Sequence, residues 1–285
     1  MNTNMNIPTY FEARNWASLL TKNIEEIDRY DIDLLITKRQ SISTTELLLR
    51  NHKIMKLADW NQFKTDVEKL ITGYPVQYIV NKADFYGNEF YVNEDVLIPR
   101  NETEELIDAI LDDFPINGEP LRVLDIGTGS GAIAVTLKKY RPNWQLVASD
   151  ISSAALRVAK NNADNNQVDV KFVLSDLFNN IDGKFDLIVS NPPYISANEK
   201  NVMDKKVLEY EPTLALFAAN NGLKIYQSIA DEANEYLNNR ASLYLEIGYK
   251  QGPAVQRLFQ DKFPNSKVEI KQDITGNDRM IRLKR

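Results

Sequence analysis

From Leu121 onward, short apolar runs alternate with stretches of helical spacing, and that alternation constrains the fold more than anything else in the 285 residues. The runs RVLDIG, QLVASD, VKFVLSD and FDLIVSNPP are almost continuously apolar, with GAIAVTLKKY and AALRVAKNNA among the segments between them. A strand that alternates apolar and polar residues keeps one face wet, whereas a continuous apolar run has both faces covered. The pattern therefore predicts a parallel sheet with helices on both sides. It continues through a helix from about Gly222 to Leu237, the strand SLYLEIG and the helix PAVQRLFQDKF. KVEIKQDI and MIRLKR then follow with no helix between them, so these two strands must pair antiparallel. The expectation is an α/β fold with a Rossmann-like, seven-stranded sheet in which one strand is reversed.

Ahead of that sheet, residues 1–80 carry apolar side chains three and four apart, as at Leu47, Leu48, Leu49, Ile54, Leu57, Val67, Leu70 and Ile71. This predicts a small N-terminal helical domain, closed by Gly73 and Pro75. Residues 81–100 read as a β-hairpin connector, with two aromatic-rich arms around Gly87-Asn88. Pro99 blocks further strand, and Glu102 to Leu111 resumes helical spacing with acidic residues in its first turn, where they suit the helix dipole. Residues 101–285 then form the ligand-binding domain.

Composition narrows the chemistry by exclusion. With no cysteine and His52 the only histidine, the chain cannot build a disulfide, a thiolate nucleophile, a Cys- or His-rich metal site or a Ser-His-Asp triad, and no metal is expected. The net charge of −6, with basic and acidic residues balanced over the first 80, does not suit a grip on many phosphates, so no direct DNA binding is expected. The start MNTNMNIPTYFEARNW lacks a basic stretch followed by an apolar run, and no window approaches the roughly 18 apolar residues of a membrane span. A cytoplasmic protein without membrane attachment is expected.

The first chemical signal is DIGTGSG, Asp125 to Gly131, between the first parallel strand and its helix. Gly127, Gly129 and Gly131 let a ligand approach the backbone there, with Thr128 and Ser130 between them. A dinucleotide fingerprint places its third glycine three positions after its second, to receive a pyrophosphate; the tighter spacing here favours a nucleoside ligand without phosphates. Asp150 closes the next strand, where a carboxylate accepts hydrogen bonds from both ribose hydroxyls. The competing reading is a tight structural turn, with Asp150 capping the helix that begins near Ser153. Asp176, ending the third strand, either meets the adenine amino group or is a solvated strand-end acid.

The second and strongest signal is Asn191-Pro192-Pro193-Tyr194 at the carboxyl end of the fourth strand. An amide or aromatic amine is a poor nucleophile because its lone pair is delocalised, so catalysis must orient it. The Asn191 side-chain oxygen and the Pro192 carbonyl can each accept one N–H of an NH2 group. Pro192 and Pro193 stiffen those acceptors, and Tyr194 offers a flat face to a planar substrate. An isolated Asn-Pro-Pro is ordinarily just a turn; its position beside the glycine loop sets this one apart. Together the signals describe a class I S-adenosylmethionine-dependent methyltransferase fold, acting on a planar nitrogen and releasing S-adenosylhomocysteine.

The chain resembles the bacterial release-factor glutamine methyltransferases, the HemK/PrmC family, over nearly its whole length. The resemblance is carried by the helical first domain, GYPVQYIVNKADFYG, LIPRNETEELID, DIGTGSGAIA, NPPYI, YEPTLAL, LEIGYKQG and GNDRMIRLKR. NPPY alone is shared with adenine-amino DNA methyltransferases; Leu97 to Arg100 joined to a helical first domain is specific to the protein-glutamine group. The resemblance implies methylation of the side-chain amide of the glutamine in the Gly-Gly-Gln motif of class I peptide chain release factors. By the same resemblance Gly127 to Gly131 and Asp150 hold the cofactor, Leu177 borders the adenine, Arg100 and Thr103 line the cofactor side, and Asn191 to Tyr194 hold the glutamine. Asn101 stands where the family usually has proline, so that turn loses a locked φ.

Glu246 reads as a strand-end hydrogen-bonding residue rather than a base, because amide methylation needs no early deprotonation. Rival readings are a glutamine methyltransferase acting on a ribosomal protein, an adenine-amino nucleic-acid methyltransferase, an NAD-dependent dehydrogenase, disfavoured by the glycine spacing, and a catalytically dead binding module, disfavoured by the intact tetrad.

Overall fold

The computed structural model describes residues 7–203 and 205–285, and the chain divides into a unit ending at Lys82 and a second spanning Ala83–Arg285. The first unit contains α1 (Tyr10–Thr21), α2 (Arg29–Gln40), α3 (Thr44–Leu49), α4 (Leu57–Ile71) and α5 (Val76–Val80). Capping boxes start α1, from Thr9 and Glu12, and α2, from Asp28 and Asp31, so side chains satisfy N–H groups that the first turn cannot. Its core gathers Ile32, Leu35, Leu47, Phe63, Val67 and Leu70. The apolar spacing read from the sequence divides here: Leu47, Val67 and Leu70 point inward, whereas Leu48, Leu49, Ile54, Leu57 and Ile71 are exposed.

A hairpin of β1 (Lys82–Phe85) and β2 (Asn88–Tyr91) follows. Its two-residue turn is Tyr86-Gly87 rather than Gly87-Asn88. Both turn residues have positive φ, 49° and 69°, the left-handed pair whose twist matches that of a hairpin. Next, α6 (Asn101–Asp113) places Glu102 and Glu104 in its first turn and buries Leu106, Ile107 and Ile110 completely. Asn101 is the first helical residue. Proline is favoured at that position because its φ is preset, while the N–H that asparagine keeps has no intrahelical partner there.

The sheet is built from β3 (Arg122–Ile126), β4 (Gln145–Asp150), β5 (Lys171–Leu174), β6 (Phe185–Ser190), β7 (Leu237–Glu246), β8 (Lys267–Gln272) and β9 (Asp278–Lys284). Interleaved with these strands are α7 (Ala132–Tyr140), α8 (Ser153–Asn165), α9 (Lys205–Tyr210), α10 (Thr213–Leu216), α11 (Lys224–Tyr236) and α12 (Gly252–Lys262). The strand order is β5-β4-β3-β6-β7-β9-β8, with β9 antiparallel to both neighbours and the other pairs parallel. This is the seven-stranded sheet with one reversed strand that the apolar runs predict.

Alternation along each strand explains the two covered faces. Leu124, Ile188 and Leu243 pack on one side with Ile229 and Phe259, while Val123, Val189 and Tyr244 pack on the other with Leu106 and Val135. Ile126 pairs with Ser149 of β4 and Ser190 of β6, and Ser190 pairs with Leu245 of β7. The carboxyl ends of these four strands therefore lie in one row, the switch-point edge of a doubly wound sheet, where crossovers leave in opposite directions and open a crevice. Among the described residues no helix is long and apolar enough to cross a membrane.

Candidate active site

The crevice at that edge is lined by Gly127, Thr128, Gly129 and Ser130 from the loop after β3, Asp150 after β4, Asp176 and Leu177 after β5, and Asn191, Pro192 and Pro193 after β6. Arg100 and Thr103 at the start of α6 complete it. Tyr194 lines an adjoining recess with Arg100, Asn191, Pro192 and Glu246. Gly131 is the one glycine of the loop that does not face the crevice. It takes φ 82° at the N-cap of α7, where a Cβ would sit 3.1 Å from that of Ala159, so its role is to let α7 and α8 approach. Gly127 and Gly129, at φ 70° and 55°, have open space where a Cβ would be.

Four of the loop's N–H donors are already engaged. Gly127 N–H and Thr128 N–H both donate to the Ser149 carbonyl, at 2.8 and 2.9 Å, Gly131 N–H to the Thr128 carbonyl at 2.8 Å, and Gly129 N–H to Asp150 Oδ2 at 2.9 Å. A phosphate cradle aims such N–H groups outward at the anion, and here they point into the protein beside a carboxylate. The geometry therefore fits a nucleoside without phosphates. Asp150 also accepts from Ser152 N–H on Oδ1, at 2.9 Å, and burial pushes its carboxyl above the usual range. Ile151 N–H adds a further main-chain pull, and a carboxylate with about four lone-pair sites retains acceptor capacity for ribose hydroxyls. Asp150 does not cap α8; Ser152 does, accepting from Ala155 N–H at 3.2 Å.

Strand β5 stops at Leu174, so Asp176 lies in the turn beyond it. Leu177 adopts φ 48°, a left-handed conformation costly for a bulky side chain, while its carbonyl accepts from Ser175 Oγ at 2.9 Å. This strained turn brings Leu177 to the crevice as an apolar wall. Nothing in the local spacing signals it.

At the other end, Pro192 is buried and Asn191 half-buried. Asn191 Nδ2 donates to Thr103 Oγ1 at 3.1 Å, and Thr103 Oγ1 donates to Glu246 Oε2 at 2.6 Å. Glu246 is 2% exposed, and burial raises its carboxyl to about 7 against the pull of the Thr103 hydrogen bond. Tyr194 is braced through its main chain: Gln251 Nε2 donates to its carbonyl at 2.9 Å, and a Cβ on Gly222 would strike that oxygen at 2.0 Å. Arg100 forms an ion pair with Glu211 of the YEPTLAL segment. Glu246 is a strand-end hydrogen-bonding residue, as expected from the sequence, whereas Glu211 and Gln251 are named there only within YEPTLAL and LEIGYKQG, without a role. The available signal for Glu246 was an acid at the carboxyl end of the strand next to β6.

Comparison with known proteins places this geometry among relatives. The family model described as methyltransferase small domain matches residues 104–211, and that described as PrmC N-terminal domain matches residues 12–80. A release factor glutamine methyltransferase of Enterococcus faecalis is 43% identical over 272 residues, covering 95% of this chain and 97% of that one. Another, of Lactococcus lactis, is 50% identical over 252 residues, covering 84% and 93%. A solved methyltransferase from Pyrococcus furiosus superposes with TM-score 0.53 at 17% identity, over 78% of this chain and 96% of its own, a likeness of fold alone. The fold is that of the class I methyltransferases, as the strand pattern predicts.

Proposed function

The chain belongs to the release factor glutamine methyltransferase family, and on that premise we propose that it methylates the side-chain amide nitrogen of the glutamine in the Gly-Gly-Gln motif of class I peptide chain release factors. The observation that carries the reading is the placement of Asn191. Its NH2 group is engaged by Thr103, so its Oδ1 is the atom left to accept a substrate N–H, with the Pro192 carbonyl beside it for the second. Two acceptors held by two prolines fix the plane of a substrate amide and aim its lone pair. Tyr194 supplies a flat face for the same amide.

S-adenosylmethionine would bind along the row of strand ends and supply an electrophilic sulfonium methyl. Asp150 would take its ribose hydroxyls, and the open faces of Gly127 and Gly129, with Thr128 and Ser130, would admit it close to the backbone. Leu177 would wall the adenine and Asp176 receive its amino group, while Arg100 and Thr103 close the crevice on the α6 side. One methyl replaces one amide proton, which passes to water or a main-chain acceptor. The helical first unit, matched by the PrmC N-terminal domain model, serves as the main docking surface for the release factor. Deleting it should abolish activity on intact release factor while a Gly-Gly-Gln peptide remains a weak substrate.

The deciding experiment is mass spectrometry of a purified, unmethylated release factor after incubation with enzyme and S-adenosylmethionine. A single added methyl on the Gly-Gly-Gln glutamine is expected. A methyl found only on a ribosomal protein, or only on nucleic acid, would overturn the reading.

A further inference from the structure

We propose that Glu246, acting through Thr103, is a positioning residue that sets which way the Asn191 side-chain amide faces. The inference rests on the reading that Asn191 receives the substrate amide. An asparagine amide is nearly symmetric in shape, and only its hydrogen-bond partners decide whether oxygen or NH2 points into the crevice. An NH2 group pointing outward would present donors to a substrate NH2 and could hold nothing.

Thr103 decides the matter because a hydroxyl has a single proton. Oγ1 lies 2.6 Å from Glu246 Oε2, and a carboxylate only accepts, so the hydroxyl proton is spent on Glu246. Thr103 Oγ1 is then purely an acceptor toward Asn191, and only the NH2 end of the amide can satisfy it, at 3.1 Å. The chain of donors runs in one direction, from Asn191 to Thr103 to Glu246, and leaves Asn191 Oδ1 facing the substrate. Had Glu246 been an apolar residue, the hydroxyl could donate to Asn191 instead, and both amide orientations would be open.

The lock holds while Glu246 is ionised. The groups that act on it are the Thr103 and Asn191 side chains, Arg279 of β9, which favours the charged form, and Glu102 of α6, which opposes it. Tyr194 lies near enough for its own ionisation to be opposed by Glu246, and Tyr226 of α11 donates to the Glu246 main-chain carbonyl at 2.8 Å. Burial outweighs the favourable partners, so the carboxylate loses its charge on acidification through about pH 7. A protonated Glu246 can donate to Thr103, which frees the hydroxyl to donate toward Asn191 and releases the constraint.

Two measurements test this. In 15N-labelled free enzyme at pH 8, the Asn191 side-chain NH2, assigned by its loss in Asn191→Ala, should exchange slowly with solvent. That protection should fall severalfold in Thr103→Val and in the wild type at pH 6. Equal protection in wild type and Thr103→Val at pH 8 would overturn the proposal. In single-turnover transfer to release factor, Thr103→Val should slow the methyl-transfer step about tenfold, the worth of one oriented hydrogen bond. Thr103→Ser should recover most of that loss, and the KM for release factor should stay put. Glu246→Gln should lose at most about tenfold and flatten the acid limb of the rate profile. A loss beyond a hundredfold would mark Glu246 as a general base and overturn the positioning role. If the wild type leaves release factor unmethylated, the proposed function fails while the amide-exchange readout still decides this inference.

Discussion

The two units bury charge in different ways. In the helical unit, Arg14 is 3% exposed and its guanidinium forks onto Asp33 with both contacts at 2.6 Å, while a third nitrogen meets Asn51 at 2.9 Å. Asp66, 1% exposed, receives Arg39 Nε at 2.9 Å, Arg39 Nη2 at 3.0 Å and Gln62 Nε2 at 2.9 Å. In the catalytic unit, Asp125 and Glu246 are buried as deeply without any bonded guanidinium. Asp125 has the Thr128 hydroxyl at 2.6 Å and a further pull from the Ala134 main-chain N–H. Glu246 has the Thr103 hydroxyl, with weaker pulls from Asn191 and from Arg279, whose guanidinium is bonded to Asp273 at 3.1 Å. Burial raises both carboxyls to about 7. The catalytic unit also compensates Glu211 in place, through Arg100, but it leaves the carboxyls of Asp125 and Glu246 short of partners, so these two remain responsive near neutrality.

Removing an oriented group from the crevice should have the largest effect. Asn191→Ala is expected to cut turnover by about 10² to 10³ with cofactor affinity unchanged, by analogy with losing one preorganised polar group. Parallel calorimetry of S-adenosylmethionine binding checks the split, and an equal loss of binding would remove Asn191 from the substrate side. In the helical unit, Arg39→Met strands the Asp66 carboxylate and should cost about 3 kcal/mol in urea unfolding, since a buried charge loses its partner. A cost under about 1 kcal/mol would mean that its pairing contributes no more than an exposed ion pair.

The contrast also has a pH signature. Unfolded, the Asp125 carboxyl ionises near its ordinary 3.8; folded, it stays neutral up to about 7. Its contribution to stability is therefore fully present below the unfolded value and is lost as pH rises through about 7. Asp125→Asn lacks that loss, so its stability relative to wild type should rise by roughly 2 kcal/mol between pH 5 and pH 8, read from paired urea titrations. A flat difference would show that Asp125 is ionised throughout. The smallest effect separates two glycines of one loop. Gly131→Ala should cost about 1 kcal/mol of stability, from its positive φ and the contact with Ala159, with little change in cofactor affinity; Gly129→Ala shares the positive-φ cost, but its Cβ would enter open space in the crevice and should weaken cofactor binding as well.

Much of this molecule was legible along the chain. The apolar runs predict the seven strands and the single reversal, because a strand buried on both faces must be apolar at successive positions and because two strands without a crossover can only turn back. The glycine spacing and NPPY likewise point to strand ends, since turn chemistry and proline stiffness are local properties. Other features lay out of reach. Helical spacing in residues 1–80 does not say which of Leu47, Leu48 and Leu49 turns inward, because that depends on where neighbouring helices lie. The left-handed turn at Leu177 contradicts the residue's own preference and persists only because its surroundings impose it. The bond between Thr103 and Glu246 joins residues 143 apart in sequence. The sequence by itself determined the strands, the turns and the chemical groups at their ends. The tertiary structure decided which of those groups meet, because contacts between distant residues follow from sheet order, register and the packing of α6 against the sheet, and burial then sets their charge.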